Sequence, residues 1–293
     1  MLAFHQFWAI LRKDLLIDLR RRENLVAMFL FALLTLITFY FAGGNLQEPR
    51  FRLSPRALES LTGKDWTPER IEALRPLLGR AFATQSAFLQ ALAAAGATAS
   101  IDADERIQLV RAARGDALQD MAAGFLWVTF LLAGVLGLDK SFGQERENAC
   151  MEGLLLSPAG RGTIYLGKMA GNAAFLAMVL VLLVPMYGLL FRLDLAGVAG
   201  RLALVAVGAV LGFSALGTLL GGLVASLRGK EVLLPLLLFP LVAPLLIASV
   251  QLTGAILEGE PLADHLQWLM LISAFDAVFL IVAFLVFEFV VEG

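Results

Sequence analysis

Cysteine, histidine and charge are scarce in this chain of 293 residues. A single cysteine excludes a disulfide framework and any cysteine-rich metal site, and two histidines are too few for a zinc or haem cage built by this chain alone. Charged residues make up 16%, against about 25% in soluble domains. Hydrophobic residues make up 59%, and the mean hydropathy is +0.80. A soluble fold would have too few polar side chains to cover its outside, and intrinsic disorder is excluded on the same ground. The formal net charge of −2 hides a segregation, because most charge falls in residues 12–23, 48–120, 139–161 and 228–231. No excess of basic charge tracks one solvated face, so nucleic acid is not an expected partner.

What the chain has is apolar length. Six runs approach or exceed the about 20 residues that cross a hydrocarbon core about 30 Å thick: Leu25–Gly43, Ala122–Leu138, Ile164–Phe191, Leu202–Leu227, Val232–Leu257 and Leu266–Phe287. They do not alternate apolar with polar, so they read as helices rather than barrel strands. The predicted fold is an all-α integral membrane protein. Six transmembrane helices follow an amphipathic interfacial helix over residues 1–24, and a small external helical insertion over 44–121 separates the first two spans.

The first run follows a charged leader and outlasts the apolar core of a signal peptide, so it reads as retained. In the leader, Phe4, Phe7, Trp8, Leu11, Leu15 and Leu19 recur at helical spacing. Basic residues in short loops set the orientation. Arg12, Lys13, Arg20, Arg21, Arg22, Lys140, Arg146, Arg161, Lys168, Arg228 and Lys230 fall on one side, and only Arg192 and Arg201 on the other. Both termini, including the tail 288–293, are therefore predicted to be cytoplasmic. In the insertion, Ser54-Pro55, Thr67-Pro68-Glu69 and Asp102 with Glu105 read as helix starts. Two to four helices are expected there.

Gly162-Thr-Ile-Tyr-Leu-Gly167-Lys168 matches the opening of a phosphate-binding loop, but Met169 stands where Ser or Thr must hold Mg²⁺ and the segment opens a transmembrane helix. Lys168 reads instead as an anchor at the membrane interface. The richest polar segment is 139–163. Glu145, Arg146 and Glu152 precede an apolar group of Gly153, Leu154, Leu155 and Leu156, and Ser157-Pro158 stops the pattern before Arg161. A short helix there would carry charge on one face and apolar knobs on the other, as a docking surface does.

Inside the spans, Gly208, Gly212, Gly217 and Gly221 recur at the spacing that lets helices approach closely. Pro235, Pro240 and Pro244 are expected to bend the fifth span, each lacking a backbone donor. Both sets serve packing or a gating joint. Asp276 stands about ten residues into the last span, where an ionised carboxylate costs about 2.5–3.5 kcal/mol; it should face protein or a wet cavity. His5 and His265 lie on opposite sides of the membrane and cannot share one iron. No intramembrane acid, His or Cys is in place to partner Asp276 as a catalytic pair, so the chain reads as non-enzymatic by itself.

The run from Glu145-Arg-Glu through Met151-Glu152-Gly-Leu-Leu-Leu-Ser157-Pro158 to Arg161-Gly-Thr-Ile-Tyr-Leu-Gly167-Lys168 resembles the loop of permeases of the ABC-2 exporter type. More narrowly, the chain is similar to the haem exporter protein B family of the cytochrome c maturation system. Supporting stretches are Arg12-Lys-Asp-Leu, Gly217-Thr-Leu-Leu, Lys230 to Pro244 and Phe275-Asp276-Ala-Val-Phe. They cover nearly all of the chain except 46–119, which departs from the compact six-span pattern.

The resemblance implies a permease driven by ATP bound on a separate ATP-binding protein, similar to haem exporter protein A, which would grip the segment 143–161 as a coupling helix. Glu145, Arg146 and Glu152 would make ion pairs, and Leu154 to Leu156 would fill the ATPase groove. It further implies the membrane proteins C and D of the same system and the haem chaperone E. Two permease halves are implied, as a homodimer or as a pair with haem exporter protein C. Haem is the implied substrate, and no cofactor is assigned to the chain itself. An exporter of the same type for lipid, polysaccharide or drug shares the coupling segment; a passive scaffold would not need it.

Overall fold

The computed structural model describes residues 6–13, 22–43, 49–53, 72, 74–95, 106–107, 109–110, 113–147, 160–224 and 230–290. Helix α1 covers residues 6–13. It is followed by α2 (Arg22–Ala42), α3 (Gln85–Ala94), α4 (Ala117–Glu147), α5 (Arg161–Phe191), α6 (Ala199–Val224), α7 (Lys230–Glu258) and α8 (Leu266–Val290). The last five are long and apolar enough to cross a membrane. Helix α2 carries a shorter apolar stretch, Val26–Ala42, within 21 helical residues. Its Thr35 and Thr38 hydroxyls donate back to the carbonyls of Phe31 and Leu34, both at 2.8 Å, which satisfies them within the helix.

The strongly apolar α6 sits at the centre and packs against α5, α7 and α8, with a lighter contact to α4. Phe213, Leu216, Leu238, Ala248 and Leu252 are fully buried in the main core. A second cluster joins α2, α4 and α5 through Met28, Leu36, Leu126 and Tyr187. Helix α7 continues through Pro235, Pro240 and Pro244 without a break in its helical assignment. A fourth intrahelical proline, Pro185, lies in α5, inside an apolar run whose length alone does not reveal it.

The insertion, expected from sequence as a small helical cap, also carries a sheet. Three short antiparallel strands, β1 (Pro49–Arg52), β2 (Ala81–Phe82) and β3 (Arg114–Asp116), pair in the order β2-β1-β3, with Phe51 opposite Phe82 and Arg114. The physical reason is visible in Phe51-Arg52-Leu53, whose period of two buries Phe51 and Leu53 on one side. Together with Leu74, Leu77, Phe88 and Leu92 they form a core of their own. Helix α3 starts on Thr84, whose hydroxyl accepts the Ala87 N–H at 3.2 Å. The expected starts at Ser54-Pro55, Thr67-Pro68-Glu69 and Asp102 to Glu105 lie outside the described residues. Because β1 follows α2 and β3 runs directly into α4, their pairing closes the insertion over the ends of the two helices it joins.

Candidate functional site

The segment 139–163, expected as a cytoplasmic coupling loop or helix, begins as a continuation of α4. The apolar part of α4 is Met121–Leu138, but helical backbone continues to Glu147. Nine further residues add about 13 Å at 1.5 Å each, enough to clear a headgroup layer. Glu145 and Arg146 stand on this extension. Glu152, Gly153, Leu154, Leu155, Leu156, Ser157 and Pro158 lie outside the described residues. Described structure resumes at Gly160, and Arg161 opens α5.

The first turns of α5 are held on three sides. Tyr165 donates its hydroxyl to the Ala215 carbonyl of α6 at 3.0 Å. Phe284 of α8 comes within 2.5 Å of where a β-carbon on Gly162 would stand, and Ile10 of α1 within 2.8 Å of the same position on Gly167. Ile10 is buried while Trp8 is exposed, so α1 docks through a residue outside the expected apolar stripe. The signal that could have found this contact was the pair Ile10 and Gly167, a knob and a notch. Lys168 is not an exposed anchor. It is buried and partnered, because the turns that carry it, with Ile164, Tyr165 and Met169, face the bundle rather than the interface.

Deeper in the membrane the expected residues separate into two groups. Gly208 and Gly212 face α8: a β-carbon on Gly208 would meet Ile272 at 2.6 Å, and one on Gly212 would meet Asp276, Phe275 and Leu245. Asp276 thus faces protein, in a glycine notch. Its Oδ1 atom is buried and has no hydrogen-bond partner among the described residues. Gly217 instead receives Leu138 of α4, and Gly221 is buried. Two polar pairs cross the same core. Asn172 donates to the Thr218 hydroxyl and Trp127 to the Thr253 hydroxyl, both at 2.9 Å. No group of three metal-ligating side chains occurs among the described residues.

At the opposite end of the bundle, His265 Nε2 lies 2.5 Å from Glu260 Oε2, and Arg52 of β1 pairs with Glu258 at the end of α7. His5 lies outside the described residues.

The protein family described as CcmB protein matches residues 109–292, which run from just before α4 through α8. The chain belongs to the CcmB family. Its matched part takes in the five long spans, and α1, α2 and most of the external unit lie outside it. A relative in Pseudomonas aeruginosa, named Heme exporter protein B, is 32% identical over 161 residues, covering 54% of this chain and 70% of the relative. In this CcmB-family chain, the extension of α4 and the held base of α5 both lie within the family match, as does the Asp276 notch.

Proposed function

We propose that this CcmB-family chain is the transmembrane permease of an ATP-driven haem exporter, acting in c-type cytochrome maturation. Family membership and the name of the Pseudomonas relative support haem as the transported or released species. The chain itself is not the ATPase. A separate ATP-binding protein docks on the segment 143–161, with Glu145, Arg146 and Glu152 as ion-pair partners and Leu154 to Leu156 as apolar knobs. Two permease halves, with the membrane proteins C and D and the haem chaperone E, complete the assembly. The asymmetry of basic loop residues supports cytoplasmic termini.

The observation that carries this reading is the continuity of α4 beyond its apolar part, together with the packed base of α5. A helix that leaves the bilayer without a break transmits a push on its far end as a rigid body. On the return side, α5 is gripped by α1, α6 and α8, so a displaced segment moves those helices with it. ATP-driven closure of the partner ATPases would in this way bias a two-state bundle.

The test is co-purification. Glu152→Lys and Leu155→Asp are each expected to abolish recovery of the ATPase while the chain still inserts in the membrane. Undiminished ATPase recovery with both variants would overturn the docking assignment. An ATPase assay on the reconstituted complex, with and without haem-loaded chaperone, reads the coupling itself.

A further inference from the structure

Helix α7 carries an outward stripe that does not suit lipid. Leu236, Pro240, Pro244, Ile247 and Gln251 are all exposed. They recur at steps of three and four residues and so share one side of the helix. Leu238, Val242, Leu245 and Leu252, on the other side, are buried in the main core.

Two prolines of this stripe free backbone groups. Proline has no N–H, and its ring displaces the carbonyl of the residue four positions earlier. Pro240 and Pro244 therefore leave the carbonyls of Leu236 and Pro240 without their helical donor, although the helix runs unbroken from Lys230 to Glu258. Leu236 and Pro240 are themselves exposed, so the freed carbonyls lie on the outer side. Gln251 adds an amide with two donors and an acceptor. No described residue bonds to it.

Depth decides what these groups require. Val232–Glu258 is 27 residues, about 40 Å of helix against a hydrocarbon core of about 30 Å. The Pro240 carbonyl lies about 12 Å from the Val232 end, and Gln251 about 10 Å from the Glu258 end. With the span centred on the bilayer, both levels fall inside the hydrocarbon, where lipid offers no hydrogen bond.

Other exposed faces avoid this condition. The hydroxyls of Thr38 on α2 and Ser273 on α8 turn back onto carbonyls of their own helices, at 2.8 and 2.9 Å. The exposed residues Ala274, Val278 and Ile281 of α8 are apolar, and that helix contains no proline. The α7 stripe alone among these faces turns unanswered polar groups away from the bundle at two levels. A helix from another chain would have to bring matched partners to both, about 16 Å apart. Water answers carbonyls and an amide alike wherever it reaches.

We propose that the α7 stripe from Leu236 to Gln251 lines a water-filled path in the assembled membrane complex. The inference rests on the permease reading above and deepens it, placing the path along a face of this chain, with the second permease half as the opposite wall. Pro244 and Ile247 supply the apolar stretch between the two wet levels, the kind of constriction at which such paths close.

The test is chemical labelling of the full-length chain, expressed together with the ATPase, by a water-soluble maleimide applied to membranes. Peptide mass spectrometry reads each introduced cysteine separately from Cys150. Leu241→Cys, beside Pro240, and Gln251→Cys mark the two levels, with Leu237→Cys in reserve for the first. Val278→Cys and Ala274→Cys, exposed on α8, are the lipid-facing comparison. Maleimide attacks the thiolate, which does not form in hydrocarbon, so the α7 positions should label about tenfold faster than those on α8. Equal labelling of the two helices would put the stripe in lipid and overturn the proposal. So would slow labelling of Gln251→Cys together with a disulfide to a second chain, the mark of a dry helix interface. Recovery of the ATPase from the same membranes tests the permease reading apart: recovery without labelling on α7 sinks the path alone, and labelling without recovery sinks the docking assignment alone.

Discussion

Asp276 Oδ1 occupies the space that a β-carbon on Gly212 would need, so α6 and α8 meet backbone against carboxyl about 15 Å along α8 from its start. Phe275 at 2.9 Å and Leu245 at 3.1 Å close the same notch. The glycine spacing and the buried acid, which the sequence presents as two separate features, are one contact.

Gly212→Ala is therefore expected to destabilise the bundle by about 1–3 kcal/mol through overpacking. Asp276→Ala in the same chain should recover part of that loss. Unfolding in detergent of the wild type, both single variants and the double variant measures the coupling. Strictly additive losses would show that the two residues do not share the notch. At Gly208, an alanine meets Ile272 at 2.6 Å and should respond to Ile272→Ala but not to Asp276→Ala.

Gly143→Pro tests whether the α4 extension works as a rigid lever. Proline inside a helix removes a backbone bond and costs about 3 kcal/mol locally. Gly143 lies beyond the apolar span, within Ala117–Glu147. The ATPase should still co-purify, while stimulation of its turnover by the membrane complex falls. Full stimulation in this variant would show that the extension need not be helical.

Removing the knob at α1 should release the leader. Ile10→Gly or Gly167→Leu is expected to speed amide exchange across residues 6–13 without changing exchange in α6. The reason is that Ile10 stands against the notch at Gly167. Unaltered protection at 6–13 would mean that other contacts hold α1.

Arg52 ties the external unit to α7. Its guanidinium pairs with Glu258 and also donates to the Gly79 carbonyl at 3.2 Å. Both side chains keep roughly a quarter of their exposure, so the pair is worth no more than about 1 kcal/mol. Arg52→Glu should increase proteolytic cleavage within the external unit, and the exchanged pair Arg52→Glu with Glu258→Arg should restore much of the protection. No recovery in the exchanged pair would assign the effect to the lost bond to Gly79.

Much of the fold is legible in the sequence because membrane helices announce themselves locally. A run such as Leu202–Leu227 is both apolar and long, and α6 occupies nearly that stretch. The ends are less legible. Charge at Asp139 signals departure from lipid, not from helix, and backbone bonding carries α4 onward to Glu147. In the insertion, Ser-Pro and Thr-Pro pairs draw attention to helix starts, whereas the two-residue alternation at Phe51 and Leu53 is the signal for β1. Lys168 departs from expectation for a related reason. Its position near a span end suggests snorkelling, but the face it occupies is set by how α5 is rotated against α6 and α8.

By itself the sequence determined the membrane class, the helical material, the approximate places of the long apolar helices and the kinship with haem exporter B proteins, because composition, run length and motif are local properties. Only the tertiary structure decided which residues meet. Arg52 with Glu258, Ile10 with Gly167 and Gly212 with Asp276 join positions on different elements. Such pairings depend on the rotation and depth of whole helices, which are fixed by close packing of every neighbour at once and leave no repeating trace along the chain.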